Sequence, residues 1–224
     1  MDMAIFNSFI LGTIALLVLI ILLLPLIYLL GHVLRAGKLT GLGRFISRMA
    51  DLIDNLNDWV GTRIAWLALL MVLVQALVVL QRYIFGINFI WMQESVTYMH
   101  GLLFMLAAGY TLLHGGHVRV DIFYRDAPDK TKALIDFIGS YIFIFPVMIL
   151  ILILSFPYVR LSWMVKEGSL ETSGIQGIYL LKAVILVFAA LLLLQGLSLA
   201  VRTALILTGR QKSDIEAEGS AQVF

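Results

Sequence analysis

Residues 9–30 read FILGTIALLVLIILLLPLIYLL, an apolar run with a single proline and no charge. A helix crossing the hydrocarbon core of a bilayer needs about 20 such residues, so this stretch is long enough to span. It is too long for the apolar core of a cleaved signal peptide, and the preceding MDMAIFNS holds an acid and no base. It therefore reads as a retained membrane helix. The rest of the chain agrees: of 224 residues, 61% are hydrophobic and 13% charged, with a mean hydropathy of +0.99. So little polar surface cannot clothe a soluble globule. A net charge of +2 offers no basic surface for nucleic acid. The lack of cysteine excludes disulfides, thiolate metal sites and a cysteine nucleophile.

Four more apolar segments follow. Residues 64–80 carry Gln75 near their middle, where an amide is expected to hydrogen-bond a neighbouring helix. Residues 96–113 contain His100. Residues 137–156 contain Pro146, with Pro157 expected to close them and Asp136 at their start, where a helix amino terminus favours a carboxylate. Residues 183–201 lie between Lys182 and Arg202, whose long stems reach the interfaces. Ahead of the second segment, residues 41–63 place Phe45, Ile46, Met49, Leu52, Ile53, Leu56 and Val60 three and four apart. Arg44, Arg48, Asp51, Asp54, Asn55 and Asp58 fall largely between them. That is an amphipathic helix, lying along the inner membrane surface or against a partner's loops.

The expected architecture is an all-α integral membrane protein, a bundle of five transmembrane helices with an interfacial amphipathic helix. Its parts are an amino-terminal helix (1–35), the amphipathic helix (36–63), a four-helix membrane domain (64–207) and a polar, unstructured tail (208–224). With the amino terminus outside, only Arg82, Arg160, Lys166 and Lys182 face outward, and the other twelve of the 16 Lys and Arg lie on the inner side. By the positive-inside rule the amino terminus is outside and the carboxyl terminus cytoplasmic.

Catalysis finds little support. Ser95 with Glu94 and His100 is the nearest approach to a nucleophile and base, and it lacks an oxyanion hole. No phosphate loop or metal-spaced cluster is present. His100 and His114 share a helix face about 21 Å apart by the 1.5 Å rise, as in two-haem membrane cytochromes. A haem on the outer side would lack a second histidine, and no cofactor is expected. No inverted repeat marks a self-sufficient transporter.

Two polar stretches remain. The first, QRYIFGINFIWMQESVTY (81–98), contains Arg82, Tyr83, Phe85, Trp91, Gln93 and Glu94. Taken singly, Trp91 reads as an interfacial aromatic and Glu94 as a first-turn carboxylate. The second, HGGHVRVDIFYRDAPDK (114–130), contains Gly116, His117, Val118, Arg119, Val120 and Asp121. There Gly115 and Gly116 can end a helix, and Asp121 or Asp126 can cap the next.

Together, an aromatic R-Y-x-F segment leading to W-x-Q-E, about twenty apolar residues, and then G-H-V-R-V-D resemble the small membrane subunit of TRAP (tripartite ATP-independent periplasmic) transporters. The resemblance covers roughly residues 60–207. It departs at Gln93, where the family more often has a carboxylate, and in the additional amino-terminal helix. It implies a bacterial or archaeal cytoplasmic membrane protein that assembles with a large membrane subunit and, through it, a periplasmic substrate-binding protein. Such systems import organic acid anions on an ion gradient, typically sodium. The resemblance places substrate and ion sites in the large subunit and none in this chain. Arg82, Trp91, Gln93, Glu94, Gly116, His117, Arg119 and Asp121 are the candidate interface residues. The alternative is a free-standing helical bundle acting as an assembly or channel factor.

Overall fold

The computed structural model describes residues 16, 18–32, 40–117, 124 and 127–209. Arg119, Asp121, Asp126, the start of the first apolar run and the tail from residue 210 lie outside the described residues. All regular structure among the described residues is helical. The elements are α1 (Val18–His32), α2 (Thr40–Ile64), α3 (Trp66–Ile84), α4 (Ile90–Leu106), α5 (Ala108–Leu113), α6 (Asp129–Gly139), a π-helical turn (Ser140–Ile144), α7 (Phe145–Val165) and α8 (Ile178–Leu207).

Four helical rods are long and apolar enough to cross a bilayer: Gly41–Ile84, Ile90–Leu113, Asp129–Val165 and Ile178–Leu207. The described part of the first run, Val18–His32, is shorter. Ala65 is the only residue between α2 and α3, and its N–H reaches the Gly61 carbonyl at 3.0 Å. The amphipathic stretch and the second segment are therefore one rod of 44 residues. The third segment breaks at Ala107 into α4 and α5.

The fourth segment differs from its sequence reading in two ways. Pro157 lies inside α7, which continues to Val165. A proline removes one amide donor and bends a helix, but ending it in hydrocarbon would strand several carbonyls with no water to receive them. The rod also starts earlier, at Asp129, which supplies the first-turn acid. Asp136 is thus two turns inside, where its carboxylate accepts the Tyr124 hydroxyl at 2.7 Å. The π turn directly precedes Pro146, whose ring would crowd the carbonyl four residues back. Widening the helix there relieves the conflict.

The chain divides into two compact units, one drawn from Met1–Asp51, Asp121–Gly139 and Leu197–Phe224, the other from Leu52–Val120 and Ser140–Gly196. In the first, Tyr28, Ile46, Ala50, Ala133, Phe137, Ala200 and Ala204 are buried. Ser198 donates to the Ala50 carbonyl at 3.4 Å, and Arg202 meets Asp51 at 3.1 Å. In the second, Met92, Met99, Phe145, Met148, Val159, Val184, Ala189 and Leu191 form the core. Small residues at these contacts let backbones approach, which is how helices associate where the solvent is itself apolar.

The buried stripe of α2 is not its most apolar one. Gly43, Ile46, Ala50, Asp54, Asn57 and Gly61 are buried, whereas Phe45, Leu52, Leu56 and Trp59 are exposed on the chain's surface. An apolar side chain gains little by leaving lipid for protein, whereas small and hydrogen-bonding residues gain contacts there.

α8 carries buried residues around its circumference, with Ala200 and Ala204 at 0% exposure. Ala204→Leu should overpack this contact and cost about 1–3 kcal/mol, read as a lower thermal midpoint in detergent. Val187→Leu, at a position facing outward, should leave the midpoint unchanged.

Candidate functional site

α3 ends at Ile84, and a turn through Gly86, with φ +65°, leads into α4. Glu94 lies one turn inside α4, whose first turn has no acid, so the helix terminus is not what holds it. Its carboxylate instead accepts the Ser169 hydroxyl and the Ile175 N–H, the latter at 2.5 Å. Gly174 permits this approach, since a Cβ there would stand 2.7 Å from the Glu94 Oε1. One carboxylate thus pins the 166–177 connection to α4.

A second clamp fixes the same connection. Lys182 donates to both carboxylate oxygens of Glu167, at 2.7 and 2.6 Å, with its Nζ 4.1 Å from the Tyr158 ring centroid. The Lys182 bond holds the Glu167 carboxyl below the usual glutamate range. Lys166 ends α7 in a left-handed conformation, and its ammonium lies 4.8 and 4.9 Å from the rings of Trp163 and Tyr179.

The other residues of the first motif are not gathered with Glu94. Gln93 donates to the Asn88 side chain at 2.8 Å. Trp91 is 51% exposed beside Phe89. Arg82 is exposed at the end of α3 and has no side-chain partner among the described residues. Ser95 donates to the Met92 carbonyl at 2.7 Å. With Glu94 holding the loop, Ser95, Glu94 and His100 are not assembled as a nucleophile with its base.

At the second motif, Gly115 adopts φ +64°, and Gly116 N–H reaches back to the Thr111 carbonyl at 2.8 Å. This is a glycine helix stop, as the sequence suggested. His117 is exposed. His114 bonds Asp58 at 3.0 Å, with its ring 4.2 Å from that of Tyr110. The pair is about half exposed and contributes little stability. His100 and His117, with Leu103, Phe104, Phe188 and Leu192, line an apolar groove of about 510 Å³ between α4–α5 and α8. Among the described residues, no group of three His, Asp or Glu side chains could hold a metal.

The most buried polar cluster lies outside both motifs. Gln195, 3% exposed within α8, donates to Asp54 at 2.9 Å and accepts from Asn57 at 2.9 Å. Asn57 is fully buried. Gly109 makes room for it, because a Cβ at that position would lie 2.0 Å from the Asn57 Oδ1. A signal was present: Gln195 interrupts an apolar run, and Asp54, Asn57 and Gly61 recur at helical spacing. Gln75, singled out for the same reason, is exposed and has no side-chain partner in the described chain.

Residues 63–206 match the family model described as the DctQ component of tripartite ATP-independent periplasmic transporters. The chain belongs to that family, whose members are small membrane components of TRAP complexes containing a large membrane subunit and a substrate-binding protein. No curated protein and no solved structure matches it.

Gln195→Leu strips Asp54 and Asn57 of their shared amide and should cost about 1–3 kcal/mol, measurable as a lower unfolding midpoint. Glu167, whose folded-state pKa is lowered, stabilises above its unfolded value of about 4.3. That contribution is lost as pH falls through the folded value. Glu167→Gln should therefore lower the midpoint at pH 7 and weaken the loss of stability on acidification below about pH 4.

Proposed function

We propose that this chain is the fixed scaffold of a secondary importer, holding the large membrane subunit of its TRAP transporter while that subunit carries organic acid anions inward. An ion gradient, sodium in this reading, supplies the energy, and a periplasmic binding protein delivers the substrate. The observation that carries the reading is how the chain's polar groups are used. Gln195 bridges Asp54 and Asn57, and Glu94, Glu167 and Lys182 hold the 166–177 connection. Such contacts stiffen the chain and engage most of the polar atoms of these groups, the Asn57 Oδ1 excepted, as suits a support and not a carrier.

Interface contacts fall in this reading to Arg82 and Trp91, which face outward at one motif, to His117, which faces outward at the other, and to Arg119 and Asp121, which follow it in the sequence. Gln93 and Glu94 serve the same face indirectly, by holding its turn and loop. The distribution of Lys and Arg supports an amino terminus outside and a carboxyl terminus in the cytoplasm of a bacterial or archaeal cell. Residues 1–35 form an additional membrane helix ahead of the amphipathic stretch and the four-helix domain.

The test is affinity capture of the tagged chain from native membranes in mild detergent. A large polytopic partner should come down in fixed ratio. Asp121→Ala should reduce its recovery while leaving the substrate affinity of whatever complex remains unchanged. Capture of the chain alone, or only with copies of itself, would replace the scaffold by a free-standing bundle.

A further inference from the structure

α3 is the least covered of the spanning helices. Val78 is its only buried residue, and most of its outward side chains are apolar, as lipid tails would accept. Gln75 is the exception. It stands at the midpoint of α3, exposed, with no hydrogen bond to any described side chain or backbone carbonyl. An amide left unbonded in hydrocarbon is costly, and the other amide inside an apolar span, Gln195, is bonded at both its oxygen and its nitrogen. Lipid tails offer Gln75 nothing, whereas a neighbouring helix can.

A second residue points the same way. Positions three and four apart share a helix face, so Val72, Gln75, Val79 and Arg82 form one stripe. Arg82 closes it two turns beyond Gln75, also exposed and also without a partner among the described residues. The opposite side of α3 carries Leu73 and Leu77, both exposed and purely apolar. The stripe therefore asks for a surface with a hydrogen-bonding group at mid-depth and an acceptor or anion near the membrane boundary. A second copy does not fit. Two chains inserted in the same direction and facing each other along this stripe would bring Arg82 against Arg82, and like charges repel.

We infer that the Val72–Gln75–Val79–Arg82 stripe of α3 is the face on which the large membrane subunit docks, with the Gln75 amide hydrogen-bonded to it inside the bilayer. This rests on the scaffold reading and deepens it, since Gln75 belongs to neither motif.

The experiment uses the whole transporter in native membranes, with a photoreactive phenylalanine analogue replacing Val79 or, on the opposite side, Leu77. Illumination should join the Val79 position to the large subunit and leave the Leu77 position unjoined. Gln75→Leu should lower recovery of the large subunit roughly three- to tenfold, the order of one interhelical hydrogen bond. Gln75→Asn, which keeps the amide, should retain part of it. If the unaltered chain retrieves the large subunit but Val79 gives no adduct and Gln75→Leu changes nothing, the stripe faces lipid. The inference then fails while the scaffold reading stands. An adduct between two copies of this chain overturns it in favour of self-association. If the unaltered chain retrieves no large subunit, the scaffold reading fails and takes the inference with it.

Discussion

The Gln195 amide lies within a helix of 30 residues that is otherwise almost wholly apolar, and it has to be answered from inside the protein. Water is scarce at that depth and lipid offers no hydrogen bonds, so an unanswered amide would disfavour the membrane-inserted state. Asp54 and Asn57 meet it from α2. That requirement chooses which side of α2 is buried, selecting the stripe through Asp54, Asn57 and Gly61 over the more hydrophobic one through Phe45 and Leu52. It also explains Gly109, which is small where Asn57 passes.

The same rule orders the 166–177 connection. Glu94, one turn inside α4, and Glu167, just past the end of α7, are each used to fix backbone or a neighbouring side chain. A connection held at both places, with Lys166 seated over two aromatic rings, loses little further entropy when a partner binds beside it. Preorganisation of this kind lowers the cost of association without adding a contact. Set beside these engaged groups, Gln75 and Arg82 stand out as polar side chains that no described residue satisfies.

Much of this is legible in the sequence, and for a definite reason. Hydrophobic run length is set by bilayer thickness, so the four long apolar rods and the helical class follow from counting residues. The Gly115 stop was legible because a glycine pair after an apolar helix, with polar residues beyond, leaves few other conformations. Pairings between distant helices were not. Glu94 read as a first-turn acid because the start of α4 and the approach of Ser169 and Ile175 are both invisible in a one-dimensional pattern. Pro157 read as a stop because, in water, a helix can end there at little cost.

By itself, then, the sequence determined the solvent, the helical class, the family and the approximate extent of each rod, since all of these follow from local composition and from motifs read along the chain. Only the tertiary structure decided which polar groups are consumed internally and which are left over. Gln75 and Gln195 look alike in the sequence, each a lone amide in an apolar run. Their difference lies wholly in what stands opposite them: α2 supplies Asp54 and Asn57 to one, and no described residue of the chain answers the other.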